Sequence, residues 1–294
     1  GTLLTEEVGA FLEQHQFSLS ISLDGPKEEH NVNRKFRSGE GSFDTIMKNV
    51  KTLQATHPDF AKEIMFMTVM NPRAEITHVL EYFETDEILR DHPVTFNQMD
   101  EVGLDEKLSY HDNFLLVRKY EHLKMLASLV NKVPRSCVSR LTKNGEYYIR
   151  LLGSKLNLYR KIPQTTQRGG PCVAGIRRLF VTVNGEFYPC ERVNETSEFC
   201  RIGSLENGFE LDKISDFINI GCMTEEQCKN CWNLNFCKIC YSEIDTEHKD
   251  RVTADDILKQ CEKQKQASFD ELYEYAVLSE FGYSINKREV AKNT

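Results

Sequence analysis

No apolar run in the sequence approaches 18 residues, which excludes a membrane-spanning helix of ordinary length. No basic segment followed by an apolar h-region opens the chain, so a secretory signal is not expected. Excess basic charge is missing too. With a formal net charge of −8 there is no electrostatic case for nucleic acid or an anionic membrane surface as a partner. Internal repeats and low-complexity tracts are absent, and charged residues at 28% beside hydrophobic residues at 40% are typical of a globular chain. These absences leave a soluble, cytoplasmic protein as the expectation. An initiator methionine is also lacking: Gly1-Thr2-Leu3-Leu4 leads directly towards a helix, so a trimmed chain or a fragment is expected.

What is present begins with an alternation. In FSLSISLDGP, residues 17 to 26, Phe17, Leu19, Ile21 and Leu23 share one parity, and Ser18, Ser20, Ser22 and Asp24 share the other. Period two sends these sets to opposite faces of a strand that Gly25-Pro26 ends. Helical patterns flank it. Thr5 is placed to cap a helix over about residues 6 to 15, and Ser42 to cap FDTIMKNVKTLQ, with Phe43, Ile46, Met47, Val50 and Leu53 on one face. An apolar strand at 63–70, a helix at 76–85 and a strand at 94–100 continue the pattern. Alternating helices and strands predict α/β architecture with a parallel sheet. Asp24, Asn71 and Asp100 fall at strand carboxyl ends, where such folds place their sites. Residues 105 to 165 read as mainly helical, with FLLVRKYEHLKMLASLV the clearest segment. Two domains are expected, 1–165 and 166–294.

Nine of the ten cysteines lie between Cys172 and Cys261, and Cys137, without a neighbour, is expected to be a small buried hydrophobe. RRLFVTVNGEFYPC, residues 177 to 190, predicts a hairpin about Asn184-Gly185. A cysteine-dense stretch runs from Cys222 to Cys240, and helices are expected at ADDILKQCEKQKQ and, capped by Ser268, at SFDELYEYAVLSEF. The spacing is Cys172, twelve residues, Gly185, four residues, Cys190; then Cys228-x2-Cys231-x5-Cys237-x2-Cys240; then Cys261. Two-residue spacings let a turn aim both sulfurs at one centre, in zinc knuckles and iron–sulfur sites alike. Seven cysteines exceed one tetrahedral site and fall one short of two.

On these residues the C-terminal half resembles the SPASM domain of radical S-adenosylmethionine (radical SAM) peptide-modifying enzymes, whose pattern is C-x(9–15)-G-x4-C, C-x2-C-x5-C-x3-C and a final C. The last internal spacing here is x2 rather than x3. The N-terminal half carries the matching Ser22-Leu23-Asp24-Gly25-Pro26, His30-x3-Arg34 and Gly41-Ser42-Phe43. The resemblance implies an α/β fold: the C-terminal part of a partial (β/α)6 TIM-like barrel, with the serine strand its fourth, followed by an irregular α+β iron–sulfur domain. It implies two auxiliary 4Fe–4S clusters, one on Cys228, Cys231, Cys237 and Cys261, the other on Cys172, Cys190 and Cys240. The fourth position of the latter is left open, or closed by Cys200 or Cys222. It places Ser22 and Arg34 at the methionyl carboxylate of S-adenosylmethionine, where a hydroxyl and a guanidinium suit a carboxylate. On the bland reading Ser22 caps local backbone and Arg34 is a surface ion-pair partner. Asp24 either touches the ligand or braces the turn.

The C-x3-C-x2-C loop that would hold a third, catalytic 4Fe–4S cluster does not occur in the sequence, and GTLLTEE resembles the family's T-N-G-T-L-L-T segment. The expectation is therefore roughly the C-terminal two-thirds of an enzyme, inactive alone. In the intact enzyme, S-adenosylmethionine would yield a 5′-deoxyadenosyl radical. The outcome would be thioether crosslinking or Cys/Ser oxidation in a peptide or protein substrate, with flavodoxin or ferredoxin as reductant. Sulfatase-maturing relatives place an Asp base directly after the G-x4-C cysteine; Glu191 stands there, either as a base or as a solvated loop glutamate beside Arg192. The alternatives are an iron–sulfur electron-transfer or scaffold module, and a zinc-binding interaction protein built on two zinc ribbons.

Overall fold

The computed structural model describes residues 1–99, 109–156, 172–244, 246 and 251–284, apart from the side chains of Gln98 and Lys143. The chain divides into two compact units, residues 1–150 with 281–283, and 151–280 with 284 onward. The expected boundary near 165 and the strand-end Asp100 lie outside the described residues.

In the first unit, Thr5 caps α1 (Glu6–Gln14) by accepting a hydrogen bond from the Val8 N–H at 3.3 Å. The serine strand is shorter than its alternation suggests: β1 spans Ser20–Ser22. After α2 (Lys27–Asn33), α3 (Phe43–Thr56) and α4 (Pro58–Lys62) comes β2 (Met65–Met70). Then α5 (Ile76–Thr85) leads to β3 (Val94–Gln98). The three strands form a parallel sheet in the order β1-β2-β3, pairing Ile21 with Phe66 and Thr68 with Phe96. The α/β expectation holds for this unit.

Register fixes what each face carries, because paired residues of neighbouring strands share a face. Ile21, Leu23, Phe66, Val94 and Phe96 face a core with Ile46, Val50 and Leu53 of α3 and Val79 and Phe83 of α5. The amphipathic pattern of α3 thus reads true. The opposite face carries Ser20, Ser22, Met67, Val69, Thr95 and Asn97, away from those helices. Thr68, on the core side, satisfies its buried hydroxyl by donating to the Leu23 carbonyl at 2.8 Å, which ties β2 to the end of β1. Then follow α6 (Phe114–Leu129) and α7 (Lys143–Lys155). Cys137 ends a short 3-10 turn between them and is exposed, not buried as expected, because that turn lies on the surface.

The second unit is built on small strands. β4 (Phe180–Val181), β5 (Glu186–Tyr188), β6 (Gly203–Ser204) and β7 (Gly208–Phe209) form one antiparallel sheet in chain order. The hairpin about Asn184-Gly185 is present, and Gly185 takes φ +79°, a conformation that a Cβ would strain. Then come α8 (Leu211–Ile218), α9 (Glu225–Lys229) and α10 (Ala254–Leu258), the last closed by a capping box of Thr253 and Asp256. α11 (Cys261–Glu280) follows. Two helices were expected across 254–281 with Ser268 capping the second. Instead Ser268 lies inside α11 and is buried, since neither Gly nor Pro interrupts the helical run there. The core joins Phe187, Tyr188, Cys200, Ile202, Phe217, Tyr241 and Ile257. Among the described residues no helix is long and apolar enough to cross a membrane.

Candidate functional site

The carboxyl end of β1 is held by a closed ring of hydrogen bonds. Arg34 donates from Nε to Asp24 Oδ2 at 2.5 Å and from Nη2 to Oδ1 at 3.1 Å, a two-pronged ion pair. Asp24 Oδ1 also accepts from the Val69 N–H at 2.9 Å, which fixes the turn to β2. The Asp24 N–H donates to His30 Nδ1 at 3.2 Å. That bond makes Nδ1 an acceptor, so the ring's proton sits on Nε2, 3.0 Å from Ser42 Oγ. Ser42 in turn donates to the Arg34 carbonyl at 3.0 Å. His30 is fully buried, and burial pushes its pKa down to about 4, with Asp24 opposing and Arg34 assisting.

Ser42 therefore does not cap α3 with its side chain, as its position suggests. The hydroxyl is committed to the ring, and Asn31 Oδ1 accepts the Phe43 N–H in its place at 3.2 Å. Of the three residues expected to meet a cofactor here, Asp24 and Arg34 are brought together, and Asp24 braces the turn. Ser22 is half-buried on the sheet face turned from the helices, two residues before Asp24. Sequence reasoning gave Ser42 only a helix cap and left His30 without a role, visible only as the first residue of H-x3-R.

In the second unit the structure gathers Cys228, Cys231, Cys237 and Cys261 around one small cavity of about 30 Å³, lined also by Asn233, Leu234, Ile239, Gln264 and Lys265. Each arrives from a different local device. Cys228 sits on α9, and Cys231 closes a turn through its N–H to the Cys228 carbonyl at 3.1 Å. Cys237 donates its N–H to the Asn233 carbonyl at 2.7 Å, and Cys261 begins α11. Burial pushes the Cys261 thiol up, and thiolates at Cys237, Cys228 and Cys231 would push it further. A half-buried four-thiol set of this kind is more stable as neutral thiols or as ligands of a cation than as free thiolates. Asn233 Oδ1, buried at the same cavity, has no hydrogen-bond partner. Among the described residues, no three Cys, His, Asp or Glu side chains converge as a single ion requires.

The other expected set is placed differently. Cys190 follows β5 and Cys240 precedes the turn Tyr241–Glu243; each acts electrostatically on the buried Cys200. Cys172 and Cys222 are exposed. Glu191 is exposed and pairs with Arg178, not with Arg192, at 3.0 Å.

The residues present fit an iron–sulfur cluster at the four-thiol cavity. The donor set is four cysteines, and Leu234 and Ile239 contribute apolar lining.

No protein-family model matches the chain. Over 245 residues it is 25% identical to a cysteine-type anaerobic sulfatase-maturating enzyme of Clostridium perfringens, an alignment that covers 81% of this chain and 61% of that protein. A serine-type anaerobic sulfatase-maturating enzyme of Bacteroides thetaiotaomicron is 37% identical over 54 residues, 18% of this chain and 13% of the other. The solved structure "Native anSMEcpe with bound AdoMet and Kp18Cys peptide" superposes with a TM-score of 0.54 at 19% identity, over 95% of this chain and 74% of that one. The chain thus spans 61% of the length of the first curated relative it matches. Its relatives by sequence are anaerobic sulfatase-maturating enzymes, and it shares their fold.

Proposed function

We propose that the chain is the S-adenosylmethionine-cradling and auxiliary-cluster portion of a radical SAM maturase that oxidises a Cys or Ser side chain of a peptide or protein. One observation carries the reading: the four cysteines that the family pattern groups into one cluster line a single cavity, although Cys261 lies in a separate stretch of sequence from the other three. Relatives named for cysteine-type and serine-type sulfatase maturation support the same class of substrate.

In this reading the first unit is half of a barrel wall, and the serine face of β1 is turned to its interior. Ser22 offers a hydroxyl there. Arg34 has its Nε and Nη2 protons committed to Asp24, which orients the guanidinium plane before any ligand arrives. A methionyl carboxylate would be recognised by the hydroxyl and the remaining guanidinium edge. In the second unit Cys228, Cys231, Cys237 and Cys261 hold one auxiliary cluster, and Cys190 and Cys240 belong to the other with Cys172. Bound there, the clusters supply one-electron transfer, and a flavodoxin- or ferredoxin-type reductant is the matching partner. Ile239 and Leu234 exclude water from the first of these sites, which protects cluster sulfurs from hydrolysis.

Anaerobic reconstitution with iron and sulfide tests the reading. Two clusters require about eight iron and eight acid-labile sulfide per chain. About two zinc with no labile sulfide would instead establish the zinc-binding reading and end this one. A Cys228→Ala variant is expected to lose about half of the iron.

A further inference from the structure

We propose that Cys200 is the fourth thiolate ligand of the cluster assigned to Cys172, Cys190 and Cys240, so that this cluster has no open iron. The inference rests on the cluster reading above and goes beyond the family pattern, which has no cysteine at this position. Three features of the fold place Cys200 with its partners.

The first is the hairpin. β5 and β6 pair Phe187 with Gly203, and Cys190 lies three residues beyond Phe187 while Cys200 lies three before Gly203. The two cysteines thus stand at the base of one hairpin connection, on chain segments running back towards each other. The second is a ring contact. Phe199 packs on Tyr241 with centroids 5.4 Å apart, which draws the preceding Cys240 to the neighbourhood of Cys200. Phe187, Cys200 and Tyr241 belong to one core, with Cys200 at 0% exposure, and Cys190 and Phe199 pack against that core.

The third is the polar surroundings of the sulfur. The Cys200 thiol donates to Thr246 Oγ1 across 3.6 Å. Ser197, whose carbonyl accepts the Cys200 N–H, is itself fully buried, and its hydroxyl stands beside the Cys200 sulfur. A thiolate bound to iron can only accept, and it would take hydrogen bonds from both hydroxyls. On ligation Cys200 releases its thiol proton to solvent as its sulfur bonds iron. Cys222, the rival for this position, is exposed on the turn Asn219–Thr224.

Closing the last iron has a functional consequence. A substrate thiolate has no iron to bind, so this cluster transfers electrons only. That favours oxidation of a Cys or Ser side chain over thioether crosslinking of an iron-bound thiolate.

The test uses the 294-residue chain, reconstituted anaerobically, with L-cysteine as the thiolate probe. Iron and sulfide are counted, and electron paramagnetic resonance spectra of the reduced protein are recorded with and without the probe. The wild-type spectrum is expected not to change on adding L-cysteine. Cys200→Ala is expected either to lose about four of about eight iron or to keep them with a spectrum that shifts with the probe. Cys222→Ser is expected to match wild type in both readouts. Cys200→Ser, which preserves size, keeps the test decisive if the alanine variant does not fold: an oxygen ligand must change the g values. A wild-type spectrum that shifts with L-cysteine, a Cys200→Ser spectrum identical to wild type, or iron loss in Cys222→Ser each overturns the proposal. A wild-type chain that takes up no iron overturns the cluster reading itself, and a chain with intact iron and an unaltered Cys200→Ser spectrum overturns this inference alone.

Discussion

At the scale of single residues, the ring of Asp24, His30, Ser42 and Arg34 sets what the first unit tolerates. Asp24 is one-tenth exposed at its side chain and satisfies both Arg34 and the Val69 N–H. Asp24→Ala leaves a half-buried guanidinium and a backbone donor without partners, at a cost of about 2 kcal/mol. Urea unfolding should show that loss, and calorimetric titration with S-adenosylmethionine should show weaker binding as Arg34 loses its orientation. Unchanged values in both would mean the ion pair is incidental. His30 gives a pH dependence. Its native pKa is about 4, against about 6.5 for an unfolded histidine. Between these values the unfolded chain binds the proton that the native chain refuses, so stability falls as pH drops from about 6.5 to about 4 and levels off below. The loss is on the order of 2–3 kcal/mol, and His30→Gln should flatten this part of the stability–pH curve. The ring was only partly legible. H-x3-R named two of its members, but nothing in sequence spacing says that a serine at a helix start will face a histidine twelve residues earlier.

At the scale of elements, what could be read from the sequence depended on length and periodicity. β2 and α3 carry several repeats of their period and were readable; β6, β7 and α8 are too short or too irregularly flanked to announce themselves. α11 shows the reverse failure. A serine before an acidic, apolar run resembles a cap, yet only a break in the preceding run would make it one. As the structure has it, Ser268 is 1% exposed within the helix and its Oγ has no hydrogen-bond partner. Ser268→Ala removes an unsatisfied buried hydroxyl and raises helix propensity, so it should stabilise the second unit by about 0.5–1 kcal/mol. Thermal unfolding of the cluster-free chain checks this; a lower melting temperature would mean the hydroxyl has a partner in solution. At β6, glycine is required. Gly203 has φ +150°, and a Cβ there would meet the Gly208 carbonyl oxygen at 2.2 Å, so Gly203→Ala should open the β6–β7 hairpin.

At the scale of the whole molecule, cysteine spacing pointed to metal or iron–sulfur ligation, whereas which cysteines stand together is seen in the fold. Cys237 and Cys240 are separated by Lys238 and Ile239 alone, yet Cys237 faces the four-thiol cavity while Cys240 lies towards Cys200. That division followed from family resemblance at the sequence level; three-dimensional packing supplies its physical reason, since the buried Ile239 stands between them in the chain. Each unit has its own apolar core, and every expected cluster ligand belongs to the second. Unfolding should therefore not be two-state. Ligands bound only by the native form stabilise the unit that holds them, and iron–sulfur clusters bind native thiols far better than scattered ones. Calorimetry of the anaerobically reconstituted chain should show two transitions. Removing iron with a chelator should lower the one that carries the cysteines by 10 °C or more, on the order expected for losing several kcal/mol from a domain of this size, and leave the other in place. The Asp24→Ala substitution should do the opposite, lowering the transition that chelation spares. If chelation and Asp24→Ala move the same single transition, the units unfold as one cooperative body, and the separation of the proposed cofactor cradle from the proposed cluster site would not be thermodynamic.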